Sequence, residues 1–197
     1  MTALALIVAG SATTVEAQSG IDLELRGGLA IPVGDLDEVG ETGGGFGAGL
    51  AYALHERVSF RLDGDLEILS EDLVGVVVMP RTFLWHYHAG LELNVTDPAT
   101  SSWIVRARGS GGGTTYDTQR FVPDGDDFFD VYPSVAGGLA IGRRWRNSVE
   151  LGVQGQAFVI FAEKERTAEL AGLSPAILNP FREASSFPVG LYLRWVR

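Results

Sequence analysis

From Ile21 onward, apolar and polar positions alternate with period two, the signature of strands whose two faces meet different surroundings. Ile21, Leu23, Leu25, Leu29, Ile31 and Val33 share one face, against Asp22, Glu24, Arg26, Gly28 and Ala30 on the other. Phe46, Ala48, Leu50, Tyr52 and Leu54 alternate with Gly45, Gly47, Gly49, Ala51 and Ala53. Phe60, Leu62, Leu66 and Ile68 alternate with Arg61, Asp63, Asp65 and Glu67, and Trp85, Tyr87, Ala89, Leu91 and Leu93 with His86, His88, Gly90 and Glu92. The second half repeats the pattern at Trp103–Ser110, Val131–Ile141, Val149–Val159 and Phe187–Trp195. The alternation predicts eight strands, most of them reaching the roughly 9–11 residues that a tilted membrane strand needs.

The connections predicted between them are unequal in an ordered way. His55–Arg57, Thr96–Ser102 and Arg143–Ser148 read as tight turns; Asp35–Gly44, Ser70–Pro80, Gly111–Asp130 and Glu163–Ser185 read as longer loops. Short turns at one end and long loops at the other suit an up-and-down barrel of the outer-membrane type, with both termini at the short-turn end.

Alternation alone leaves open which face points inward. A soluble lipocalin-like barrel would turn the apolar face in, around a ligand. The polar face, however, is crowded with Gly and Ala on the second and sixth strands, residues poor in β-propensity that suit a narrow interior better than a solvated surface. The apolar face carries Trp85, Tyr87, Trp103, Phe187 and Trp195, several of them near strand ends, where aromatic girdles meet lipid headgroups. The expected architecture is an all-β, eight-stranded antiparallel up-and-down transmembrane barrel, apolar outside and polar inside.

The opening Gly27-Gly28-Leu29-Ala30-Ile31-Pro32-Val33-Gly34-Asp35 and the closing Gly190-Leu191-Tyr192-Leu193-Arg194-Trp195 resemble the small outer-membrane β-barrel family, the OmpA/OmpX-like eight-stranded type, over about residues 20–197. The closing strand is similar to the signal read by the barrel-assembly machinery: Gly190, the hydrophobic Leu193 three positions on, and the aromatic Trp195 two further. It departs from that signal by ending Trp195-Val196-Arg197 rather than on a terminal Phe. The resemblance implies insertion into the outer membrane, with outer-membrane lipid and the assembly machinery as partners.

Composition narrows the function classes. The 197 residues suit one domain of ordinary size. With 15 basic against 25 acidic residues (net charge −10), the chain lacks the basic surface that nucleic acid requires. The absence of cysteine removes disulfides, thiolate metal sites and thiol nucleophiles. No apolar run reaches the roughly 18 residues of a membrane-spanning helix. Residues 1–17 read as a signal peptide whose n-region is incomplete, since no Lys or Arg precedes the apolar Leu4–Ala9; Val15-Glu16-Ala17 is the expected cleavage site. The barrel domain then occupies 18–197.

Three sets of residues are candidates for chemistry. His86 and His88, at i and i+2 on the polar face, have metal-ligand spacing but lack a clear third ligand, and the expectation is two hydrogen-bonded interior histidines with no metal. Their surroundings resemble the His-x-Ser-Asn-Ala-Gly stretch of outer-membrane lipid A deacylases, but His88 stands where the nucleophilic Ser would be. The second set is an interior charge network: Asp22, Glu24, Arg26, Arg61, Asp63, Asp65, Glu67, Glu92, Arg106, Arg108, Glu150 and Arg194, with the two histidines among them. Buried charges have to be paired, so these predict a salt-bridged lumen, with Arg194 beside Glu24 or Asp22 and Arg106 and Arg108 beside Glu92. The third is an acidic loop rim, which includes Asp124-Gly125-Asp126-Asp127 and suits divalent cations or a basic partner. Gly111-Gly112-Gly113 has no Lys after it and is not a phosphate loop. No catalytic set and no cofactor site emerge. The expected function is a non-enzymatic outer-membrane barrel acting through its loops, against the alternatives of a lipid-modifying enzyme or a soluble ligand-binding barrel.

Overall fold

The computed structural model describes residues 20–34, 36–37, 41–70, 73–74, 77–78, 82–97, 99–118, 130–145, 148–161 and 184–196. Ten strands follow one another: β1 (Ile21–Gly34), β2 (Glu41–His55), β3 (Val58–Ser70), β4 (Leu73–Val74), β5 (Val77–Val78), β6 (Thr82–Asn94), β7 (Trp103–Thr118), β8 (Asp130–Trp145), β9 (Val149–Ile160) and β10 (Ala184–Trp195). The two-residue β4 and β5 pair only with each other; the other eight close into a barrel in which every neighbour is antiparallel. Closure is made by β1 against β10, from Leu23 opposite Trp195 to Gly34 opposite Ala184. A closed sheet leaves no edge whose backbone groups would go unpaired in lipid.

The strands are staggered. The ladder taken once around from Glu24 passes Gly49, Asp63, His88, Gly112, Ser134, Ile160 and Ala184, and returns to β1 at Gly34. Such a stagger tilts the strands against the barrel axis and sets a lumen just wide enough for side chains to fill.

The two faces divide as the alternation demands, and the numbers decide which is inside. Leu29 is 58% exposed and Leu139 61%, whereas Glu24 and Glu92 are 1% exposed and Arg61 2%. A water-soluble barrel has the reverse arrangement. The strands outrun the predicted loops: β7 continues to Thr118, so Gly111-Gly112-Gly113 lies in the wall rather than in a loop, and β8 carries Arg143 on to Trp145. These glycines stay in the ladder because backbone pairing with β6 and β8 replaces the packing their side chains lack. The signal peptide at 1–17 and the acidic segment Asp124–Asp127 lie outside the described residues.

Candidate functional site

The lumen contains every interior charge and both histidines named from the sequence, arranged in layers. Nearest the short-turn end, Arg106 sends Nη2 to Glu150 Oε2 at 2.6 Å, and Nη1 also bonds Glu150 Oε1. Tyr192 Oη donates to the same carboxylate at 2.5 Å. Arg194 donates from Nη2 to Asp22 Oδ2 (2.8 Å) and from Nη1 to Glu92 Oε1 (2.5 Å), with Glu24 3.9 Å away.

The middle layer is a shared network rather than a set of separate pairs. Glu24 accepts from Arg61 Nη2 at 2.8 Å and from Arg108 Nη2 at 2.6 Å. Glu92 accepts from Arg61 Nη1 (3.0 Å) and Arg108 Nε (2.9 Å). Arg26 forks onto Asp65 with two bonds of 2.5 and 2.6 Å, and reaches Asp63 at 2.7 Å. Asp63 in turn accepts from Arg61. Arg108 completes its donors on Gln154 Oε1 at 2.7 Å. Two-pronged arginine–carboxylate contacts of this kind are the strong, geometrically specific form of the ion pair, and they are what makes so much buried charge tolerable.

Local sequence explains why the network fits. Across from these side chains, β2 presents glycine: a Cβ on Gly47 would meet Asp65 Oδ1 and Arg26 Nε, and one on Gly49 would meet Asp63 and Arg61. Gly142 and Gly152 leave the same kind of room for the Tyr192 ring. The Gly-rich strands and the charged strands are two halves of one packing solution.

Above the network, toward the long loops, lies a histidine layer. His86 Nδ1 is 2.8 Å from Thr114 Oγ1, which bonds Ser134 Oγ at 2.9 Å; Ser134 Oγ is 2.8 Å from His88 Nε2. His88 Nδ1 meets Ser110 Oγ at 3.1 Å. The ring of His86 stacks on Phe158 with centroids 3.9 Å apart. Glu67 accepts from Ser186 Oγ at 3.1 Å and faces His86 Nε2 at 3.4 Å, outside hydrogen-bonding geometry. No group of three metal-ligating side chains occurs among the described residues. A last, apolar layer of Ala30, Leu36, Leu69, Leu84 and Ile160, with Tyr132 against it, fills the barrel at its long-loop end.

Several of these participants escaped the sequence reading. Arg144 falls in the expected turn Arg143–Ser148, yet it lies in β8 with Nη2 3.8 Å from Glu150. Phe158, Thr114 and Ser186 are inward residues that composition does not mark; each shares the parity of its inward neighbours Gln156, Arg108 and Tyr192, and that parity is the signal that finds them. The motif Gly190, Leu193 and Trp195 sits on β10: Gly190 faces Gly28 across the closing seam, where a Cβ on either would strike the other strand's backbone, and Trp195 faces lipid height beside Leu23.

No family model matches the chain, and no curated protein matches it. Among solved structures it is similar to Neisserial surface protein A (NspA), at 14% identity and a TM-score of 0.61, covering 90% of this chain and 97% of that one. It is also similar to the outer membrane protein OprG from Pseudomonas aeruginosa, at 11% identity and a TM-score of 0.50, covering 91% and 98%. With its eight-stranded closed sheet and inverted faces, the chain has the fold of the small outer-membrane β-barrels.

Proposed function

We propose that this protein is a non-enzymatic outer-membrane barrel with a closed, ion-paired lumen, serving a structural or surface-interaction role through its long loops. The observation that carries the reading is the inversion of the two faces: a predominantly apolar exterior around an interior of buried, multiply bonded arginines and carboxylates. Lipid is the solvent that suits such an exterior. The neighbours of the same fold carry the descriptions "surface protein" and "outer membrane protein", in keeping with that setting.

In this reading residues 1–17 direct export, and Gly190, Leu193 and Trp195 are presented to the barrel-assembly machinery. The acidic loops face the outside, where they are suited to divalent cations or a basic partner. The test is twofold: cell fractionation, with the protein sedimenting in the outer membrane, and planar-bilayer recording, with no steady conductance of porin size. Recovery in the soluble periplasmic fraction would refute the location, and a stable large pore would refute the closed lumen.

A further inference from the structure

The outer wall of the barrel is apolar with one exception. Within the wall strands, away from their long-loop ends, Arg143 is the one Arg, Lys or carboxylate among the described residues that points outward; the exposed Glu56 and Arg57 lie in a short turn. Arg143 is exposed, two residues from the end of β8, and so stands at the short-turn rim. Its strand neighbours are not random: Trp103 lies directly opposite on β7, Trp145 is the next outward residue on β8, and Leu151 lies opposite on β9. Trp195 faces Val149, the partner of Trp145, so three of the protein's four tryptophans lie along this stretch of rim. The adjacent Arg144 turns inward to Glu150, whereas no described carboxylate pairs with Arg143.

A guanidinium at this height has its apolar stem among acyl chains and its charge at the headgroups, where an unpaired cation is costly and an anion is at hand. Its flat fork matches the geometry of a phosphate, and flanking indoles prefer the same interfacial depth. We propose that Arg143, with Trp103 and Trp145, forms a binding site for the phosphodiester headgroup of a glycerophospholipid in the leaflet at the short-turn end. The site rests on the membrane reading given above and adds a specific lipid contact to it.

The experiment compares the wild-type full chain with Arg143→Gln and Arg143→Lys, each first shown to insert into phosphatidylcholine vesicles. The folded proteins are then transferred to detergent and titrated with phosphatidylglycerol, or with a diacylglycerol of the same chains that lacks the phosphate. Bound lipid is counted by native mass spectrometry, with excess inorganic phosphate as a competitor. The expected result is about tenfold preference of the wild type for phosphatidylglycerol over diacylglycerol, in keeping with loss of a charge-assisted contact. Arg143→Gln should abolish the preference, Arg143→Lys should retain part of it, and inorganic phosphate should not displace the lipid. Equal phosphatidylglycerol retention by wild type and Arg143→Gln, or displacement by free phosphate, overturns the site while the membrane reading stands. Failure of the wild-type chain to enter vesicles at all overturns both.

Discussion

Arg194 on the last strand donates to Asp22 on the first, Nη2 to Oδ2 at 2.8 Å, diagonally across the seam that closes the barrel, where Glu24 stands directly opposite. The same guanidinium bonds Glu92, a wholly buried carboxylate on β6, so it ties the seam to the far wall. Replacing Arg194 with Ala takes a buried cation from both acids at once, although Glu92 keeps Arg61 and Arg108. The expected loss is about 3–5 kcal/mol, the range for breaking a buried pair from one side. Asp22→Asn should cost less, because Asp22 is the more exposed partner. Urea titration of the vesicle-inserted barrel, followed by tryptophan fluorescence, checks the order; equal midpoints for wild type and Arg194→Ala would contradict the role assigned to this residue.

Closure also predicts resistance to detergent. With every wall strand paired on both sides, the sheet offers SDS no edge from which to unzip at room temperature. Unheated protein should run at a different position from boiled protein on an SDS gel. A single position under both conditions would argue against a closed barrel.

The seam makes a sharper prediction at its glycines. A Cβ at Gly28 would collide with the Val189 carbonyl, and one at Gly190 with that of Gly27. Gly28→Val and Gly190→Val should both impair insertion, measured as the fraction of heat-modifiable protein in the membrane. Gly28 stands outside the C-terminal motif, so a defect confined to Gly190→Val would assign the effect to machinery recognition rather than to strand approach. Deletion of Phe187–Arg197 removes the motif together with most of the strand that pairs with β1, and should abolish insertion.

Overpacking tests the fit between glycine and charge. Gly47→Val would push against the Asp65 carboxylate and Arg26, which already hold two bonds to each other. A cost of about 1–3 kcal/mol is expected, from the strain of inserting methyls into a filled interior. Gly64→Val is the control: its Cβ would meet nothing within 4 Å, and stability should hardly change on the same urea titration.

Strand period, strand number and facing were legible in the sequence because a barrel wall repeats one rule at every position: odd residues see lipid, even residues see the lumen, or the reverse. Glu24, Arg61 and Arg194 could be placed indoors on parity alone. Partners on neighbouring strands were legible as well, Arg194 with Asp22 across the seam and Arg108 with Glu92, but the wider network was not. Arg61 meets Glu92 on the adjacent β6 but also Glu24 on β1, beyond β2, and Arg194 on β10 reaches Glu92 on the opposite wall; no neighbour-strand argument finds the last two contacts. Strand ends were also poorly marked. Gly111-Gly112-Gly113 reads as a loop by composition, and only pairing on both sides keeps it extended. The apolar layer at Leu69, Leu84 and Ile160 was obscured because hydrophobic residues near strand ends look the same whether they face lipid or plug the mouth.

The sharing of each carboxylate among several arginines couples sites that lie far apart along the chain. Glu24 is held at once from β3, β7 and, more distantly, β10, by Arg61, Arg108 and Arg194. A substitution at Glu24 therefore removes one counter-charge from three cations at once, shifting the load onto Asp63, Glu92 and Asp22, and no single compensating change elsewhere restores all three contacts. Sequence drift at these positions is confined to coordinated exchanges, whereas the lipid-facing leucines and valines can trade places one at a time. The interior should evolve as a block and the exterior as independent sites, so that descendants of this chain would keep its charges long after its apolar surface had become unrecognisable.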